Sequence, residues 1–248
     1  MPCSIFFVHD WIVTCLFSGF LSAVRLQTLE TLADGSTQKK INWSCIGDAT
    51  ESALIKFIQG SGIDVDKARN SCPKLVSIPF NSTNKYMVSV NRLPENETTM
   101  VTMKGAPEIV LDRCDRICLD GKVVRLGPVE RARVLSMQEQ CARDGLRMIG
   151  FADTTLNPHR YSMQYHYETE NPNFPIGTNP DYAPRQTNPR AQEKLVFLGL
   201  AAIVDPPRPQ VRSAVSKCKA AGIRVIMVTG DHPATAKAIA KQVGIIWG

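Results

Sequence analysis

The sequence has no run of basic residues, no C-x-x-C pair, no histidine cluster and no uncharged stretch of membrane-spanning length. Each absence removes a class of function. The formal net charge of +6 is scattered, and Lys39-Lys40 is the only adjacent basic pair. Nucleic-acid binders gather their charge into a stripe or arm, so nucleic acid is not expected as a partner. A mildly basic solvated surface, or a small anionic ligand, is compatible with the balance. The cysteines at 3, 15, 45, 72, 114, 118, 141 and 218 include no C-x-x-C pair, and Cys114 and Cys118 stand one helical turn apart with no histidine beside them. That argues against zinc. His9, His159, His166 and His232 form no cluster, so none is assigned to a metal. Sparse cysteines in a chain of 248 residues suggest reduced, mostly buried thiols in a cytosolic setting.

The amino terminus, "IFFVHDWIVTCLFSGFLSAV", is apolar apart from His9 and Asp10, and its uncharged part, Trp11 to Val24, is 14 residues long. A spanning helix needs about 20, and no basic segment of the signal-peptide kind precedes it. Three readings stay open: a short membrane segment, a remnant of one, or a sequence with no native fold here. Residues 1–40 are left unassigned.

What is present is a chain of alternating helix and strand signals. "GDATESALIKFIQ" offers Asp48 and Thr50 as caps and puts Ala53, Leu54, Phe57 and Ile58 on one helical face. "KLVSIPF", "KYMVSVNRL" and "TTMVTMKG" read as strands, with turns at "NSTN" and "PENE". "APEIVLDRCDRI" reads as a helix with Pro107 in its first turn. "DGKVVRL" reads as a turn and strand, "PVERARVLSMQEQCARDG" as a helix closed by Gly145, and "LRMIGFADTTL" as a strand. Residues 41–194 are therefore expected to form an α+β domain, an antiparallel sheet with flanking helices. Its last part, 156–192, carries six prolines and many asparagines and reads as a loop or ordered coil, surface-exposed and mobile.

From 195 to 248 the pattern changes. "LVFLGLAAIVD", a proline-stiffened helix closed by Gly222, "IRVIMVTGD" and "PATAKAIAKQVG" read as strand, helix, strand, helix. Strands apolar throughout suggest a parallel sheet covered on both faces. In such sheets ligands bind at the carboxyl ends of strands, where Thr229, Gly230 and Asp231 stand. Gly230 lets backbone amides approach a ligand, Thr229 offers a hydroxyl, and Asp231 can cap a helix or meet a metal. Alone, such a Gly-Asp pair is usually a turn or cap.

"KGAPE" (104–108), "DPPR" (205–208) and "MVTGDHPATAKAIA" (227–240) occur in this order, and together they resemble the cytoplasmic region of P-type cation-transporting ATPases. "GDATESAL" (47–54), "IPFNSTNKY" (78–86), "MKGAPEIVLDRC" (103–114) and "NFP" (173–175) look most like the sodium/potassium and hydrogen/potassium pump α subunits. The resemblance covers about four-fifths of the chain, from Cys45 to Ile246. It implies that 41–194 is the nucleotide-binding domain and 195–248 part of the phosphorylation domain, a haloacid-dehalogenase-like Rossmann fold.

On their residue types alone, Phe80 reads as core, Lys85 and Lys104 as solvated surface, and Glu51 as a first-turn acid favoured by the helix dipole. The resemblance instead implies an ATP slot. In it Phe80 is the aromatic under adenine, Glu51 the acid facing the adenine amino group, and Lys85 and Lys104 the basic residues. Gly105 leaves room beside Lys104, and Arg147 reaches the phosphates with a guanidinium fork. Met87 stands where the sodium pumps usually have glutamine. Thr229, Gly230 and Asp231 are implied on the phosphate side, and Asp205 at the hinge between the domains.

The resemblance also marks departures. No "DKTGT", "GDGxND" or "TGES" string occurs. With no aspartate to accept the γ-phosphate and an incomplete magnesium site, the chain is expected to be an ATP-binding fragment that does not autophosphorylate or transport alone. By resemblance it belongs at the cytoplasmic face of the plasma membrane, with a pump β subunit or an intact pump as protein partners. Two other readings are kept. One is a non-catalytic interaction protein acting on intact pumps. The other is a soluble haloacid-dehalogenase phosphatase, which needs a DxD-type nucleophile pair after the first strand; none is found in a suitable place.

Overall fold

The computed structural model describes residues 22–31, 37–46, 49–93, 98–159, 161, 165–167 and 194–247, the first two ranges as backbone only. The segment 1–21, the turn expected at "PENE" and most of the Pro/Asn-rich stretch lie outside the described residues.

Strands β1 (Ser22–Thr31) and β2 (Thr37–Ile46) form an antiparallel pair, in register from Ser22 opposite Ile46 to Thr31 opposite Thr37. The pair lies across the boundary placed at residue 40. Helix α1 (Ala49–Gly60) follows, with Leu54, Ile55 and Ile58 buried. A second helix, α2 (Val65–Ser71), has no counterpart in the sequence reading; the Asp64 carboxylate caps it by accepting the Lys67 N–H at 3.0 Å.

The body is a seven-stranded sheet. Its strands are β3 (Lys74–Ile78), β4 (Tyr86–Arg92), β5 (Thr99–Gly105), β6 (Cys114–Leu119), β7 (Lys122–Arg125), β8 (Arg147–Thr155) and β9 (Leu195–Ile203). They lie in the order β3-β4-β5-β8-β9-β6-β7, and β6–β9 is the only parallel pairing in this sheet. Side chains alternate between two packed faces, as the strand period of two requires. Val88, Val90, Val101 and Met103 join Val110 and Leu111 on one face. Met100, Phe151, Val196 and Leu198 join Leu54, Ile58 and Val65 on the other.

Helices α3 (Pro107–Asp112) and α4 (Pro128–Arg143) both begin at a proline, whose missing N–H costs nothing there. The end of α4 is a Schellman turn: Leu146 N–H donates to Cys141 O at 3.1 Å and Gly145 N–H to Ala142 O at 3.0 Å. Gly145 takes φ +82°, which a side chain would resist.

Two elements differ from the sequence reading. The helix expected over 106–117 stops at Asp112, because Cys114–Leu119 is claimed by strand pairing with β9 and β7. The β6–β7 hairpin turns at Asp120 and Gly121, both at positive φ, the geometry of an Asp-Gly type I′ turn. The strand Leu195–Ile203, expected to open a second parallel sheet, is instead an inner strand of the seven-stranded one. It lies antiparallel to β8, and all nine of its residues are buried.

Its expected neighbour, "IRVIMVTGD", makes no strand pairing among the described residues. Ile226 and Val228 there are 71% and 93% exposed. A strand exists only where a neighbour satisfies its amides, and β9 has given both its edges to β8 and β6. The last helices, α5 (Pro209–Ala220) and α6 (Pro233–Gln242), form as the pattern predicts. Among the described residues of 156–192, Asn157, Pro158, His159 and His166 are exposed as expected, while Leu156 and Tyr161 are buried and Tyr161 packs near Tyr165 and Tyr167.

Candidate functional site

The turn at 81–85 sets the first part of the site. The Asn81 side chain accepts the Asn84 N–H at 2.7 Å and its carbonyl accepts the Lys85 N–H at 2.9 Å. Lys85 sits at φ +58°, and its carbonyl accepts the Ala106 N–H at 2.9 Å. Strand register then places Tyr86 opposite Gly105 and Met87 opposite Lys104. A Cβ on Gly105 would lie 2.4 Å from Lys85 O and 2.7 Å from Tyr86 Cα. Glycine is required there by the close approach of two backbones.

Lys104 and Phe151 are partners in the next register, so Met87, Lys104 and Phe151 form a row on the face that α1 covers. From the first turn of α1, the Glu51 carboxylate accepts from the Lys104 ammonium at 2.6 Å. The two side chains are 13% and 5% exposed. Lys104 is not the solvated surface group that its type suggests, and Glu51 is the first-turn acid of α1 that its type suggests.

Arg147 begins β8, three residues before Gly150, which pairs with Gly105. Antiparallel pairing therefore brings Arg147 to the sheet end where β3 and β5 finish and β4 begins. Its Nη1 donates to Thr50 Oγ1 at 3.2 Å, while Nε and Nη2 donate to the two oxygens of Asp231 at 3.0 and 3.2 Å. Adjacent residues of α1 thus hold two cations: Thr50 takes Arg147 and Glu51 takes Lys104. The sequence offered Thr50 only as a cap. Its place beside Glu51 in a first helical turn is the signal that could have marked it.

Phe80 follows β3, two residues after Ile78, which pairs with Val88. It is 56% exposed, not core. The strand order thus brings Glu51, Phe80, Lys85, Lys104, Gly105 and Arg147 to one end of the sheet, and Asp231 joins them through Arg147. Thr229 stays exposed, its hydroxyl accepting the Asp231 N–H at 3.1 Å. Gly230 borders open space. Asp205 is not drawn in: it is exposed, on the segment between β9 and α5. There it lines a separate groove of about 530 Å³ with Val211, Val215, Val225, Ile239 and Val243. Among the described residues, no group of three or more His, Cys, Asp or Glu side chains converges as a metal site would need.

Away from this end, burial pushes the Cys114 thiol far above its ordinary range and raises Cys141 as well. Both shifts disfavour the thiolate, the form in which a cysteine attacks.

A family model described as P-type ATPase, cytoplasmic domain N, matches residues 22–210. The sodium/potassium-transporting ATPase subunit alpha-A of Artemia franciscana is 39% identical over 232 residues, 92% of this chain and 22% of that protein. The alpha-2 subunit of Sus scrofa and the alpha-4 subunit of Rattus norvegicus are 43% and 44% identical over 201 residues, 81% of this chain and 18% of each. The chain therefore spans about a fifth of the length of these relatives.

Proposed function

The chain belongs to the P-type ATPase family of cytoplasmic N domains, and from that premise we propose that it binds ATP at the sheet end that carries Lys104, Arg147 and Phe80. The observation that carries the reading is the pairing of two cations by successive residues of one helical turn, Thr50 and Glu51, at the sheet end that also carries the half-exposed Phe80. Phe80 offers a flat apolar face for a purine, and Arg147 a fork for phosphate oxygens. Lys104 and Lys85 add positive charge, Glu51 faces the amino group of the base, and Gly105 keeps the two strands close enough to form the slot. Met87, opposite Lys104, presents a thioether and reads the base only weakly.

ATP fits this donor set. Magnesium accompanies ATP in the family; among the described residues no group of three or more His, Cys, Asp or Glu side chains is gathered to hold it. The proposed activity is binding: the 248 residues contain no Asp-Lys-Thr-Gly-Thr string to supply an acceptor carboxylate. ATP hydrolysis, cation transport and pairing with a β subunit belong, in this reading, to proteins of the relatives' full length. The chain is placed by the same reading at the cytoplasmic face of the plasma membrane. Among the described residues no helix is long and apolar enough to cross a bilayer.

The exposed Ile226 and Val228 favour a second reading, a non-catalytic protein that binds intact pumps. Calorimetric titration of the chain with ATP tests the first. Saturable heat at millimolar ATP or below supports it; a flat titration, with pump α subunit retained on the immobilised chain, moves the conclusion to the second.

A further inference from the structure

We propose that the Asp231 carboxylate is an autoinhibitory occupant of the Arg147 guanidinium, so that docking of the segment 229–242 and binding of a nucleotide's phosphates compete for one arginine. The inference rests on the reading above, since it takes Arg147 to be the phosphate-binding arginine.

All three nitrogens of that guanidinium are engaged. Nε and Nη2 hold Asp231 through a bidentate fork, and Nη1 holds Thr50. The fork that grips a carboxylate is the one that grips a phosphate. Asp231 is not a loose side chain that happens to touch it. Its own N–H is tied to Thr229 Oγ1, and His232 Nδ1 caps the helix that follows by accepting from Ala234 N–H at 3.3 Å. One turn on, the buried Thr235 donates its hydroxyl to the carbonyl of Leu146, the residue before Arg147, at 3.0 Å. The Gln242 amide reaches the Gly145 turn. Three points along 229–242 therefore dock beside the arginine and hold the carboxylate on it.

The Arg147 side chain is 37% exposed and that of Asp231 20%, so the pair lies where solvent can help exchange one anion for another. A triphosphate arriving there meets a fork already neutralised and a like charge within a few ångströms. Either Asp231 withdraws, releasing the segment, or the phosphates bind without the arginine. Thr50 is neutral and holds Nη1 in both states, keeping the guanidinium in place while its anion changes.

The test compares the chain with Asp231→Asn, titrated by calorimetry with ATP and with adenosine. The variant should bind ATP on the order of tenfold more tightly, the scale of removing one nearby like charge. Adenosine, with no phosphates, should bind both forms alike. Adding Arg147→Ala to Asp231→Asn should erase the gain. In the unaltered chain, ATP but not adenosine should speed hydrogen exchange across 229–242. If Asp231→Asn melts early, this exchange measurement decides alone. Equal ATP affinity in both proteins, or unchanged exchange with ATP bound, overturns the competition and leaves the nucleotide site standing. Failure of ATP and adenosine to bind either form overturns the nucleotide reading, and the competition with it.

Discussion

The Lys104 ammonium donates to the Glu51 carboxylate at 2.6 Å, joining β5 to the first turn of α1 across 53 positions of chain, with both side chains nearly withdrawn from water. A buried pair of this kind is expensive to break from one side, because the remaining charge is stranded. Glu51→Leu is expected to destabilise the chain by about 3–5 kcal/mol. Glu51→Leu with Lys104→Met should recover most of that, since no charge is then left behind. Urea denaturation of the three proteins measures both effects. A double variant no better than the single would mean that the pair contributes net stability of its own.

Gly105 fails the test of an added methyl group more severely than the other glycines at which a Cβ contact is recorded. The group would sit 2.4 Å from a backbone oxygen, which cannot rotate away. Gly105→Ala is expected to cost about 1–3 kcal/mol or more, through overpacking and separation of β4 from β5. At Gly60, the last residue of α1, an added Cβ meets nothing within 4 Å. Gly60→Ala should be neutral or stabilising by up to about 1 kcal/mol. Thermal melts of the two variants should move in opposite directions or differ by several degrees.

How far the sequence alone reached can be judged residue by residue. Amphipathic or apolar period marked α1, β4, β5, α4 and β8 where they lie, because each buries a face whose pattern is local. Prolines and glycines at 107, 128 and 145 marked helix ends for equally local reasons. The placement of β9 was not legible: an all-apolar strand states that both its faces are covered, but not which neighbours cover them. Nor was β6, since Cys114 and Ile117 suit a helix face as well as a strand paired to a partner some 80 residues away. At the site, residue types misled. Lysine at 104 suggested surface and phenylalanine at 80 suggested core, and the fold places each the other way. The Arg147–Asp231 pair spans 84 positions, and no spacing rule announces it.

Cys114 gives a pH dependence with a definite sign. Burial raises its pKa in the folded state, so the neutral thiol is the form the fold favours. The associated stability is complete below the thiol's ordinary unfolded value, near pH 9, and is lost as pH rises beyond it, because the unfolded chain releases a proton that the folded chain keeps. The loss should run at about 1.4 kcal/mol per pH unit in that window. Denaturation at pH 8, 9 and 10 should show this slope, and Cys114→Ala should flatten it. Iodoacetamide at pH 8 should leave Cys114 unlabelled until the chain is unfolded.

Phe80 separates a packing role from a binding role more cleanly than any other residue of the site. Its ring is 56% exposed, so truncation removes little buried surface, whereas a core phenylalanine costs about 3–5 kcal/mol when cut to alanine. If its use is to stack on a purine, Phe80→Ala should leave the urea midpoint nearly unchanged and weaken ATP binding by about 1–3 kcal/mol, roughly five- to 150-fold. Adenosine should weaken equally, since the ring meets the base and not the phosphates. Phe80→Trp, which keeps an aromatic face, should retain most of the affinity. A variant that loses stability instead, with its nucleotide affinity intact, would place the ring in the fold and remove it from the site.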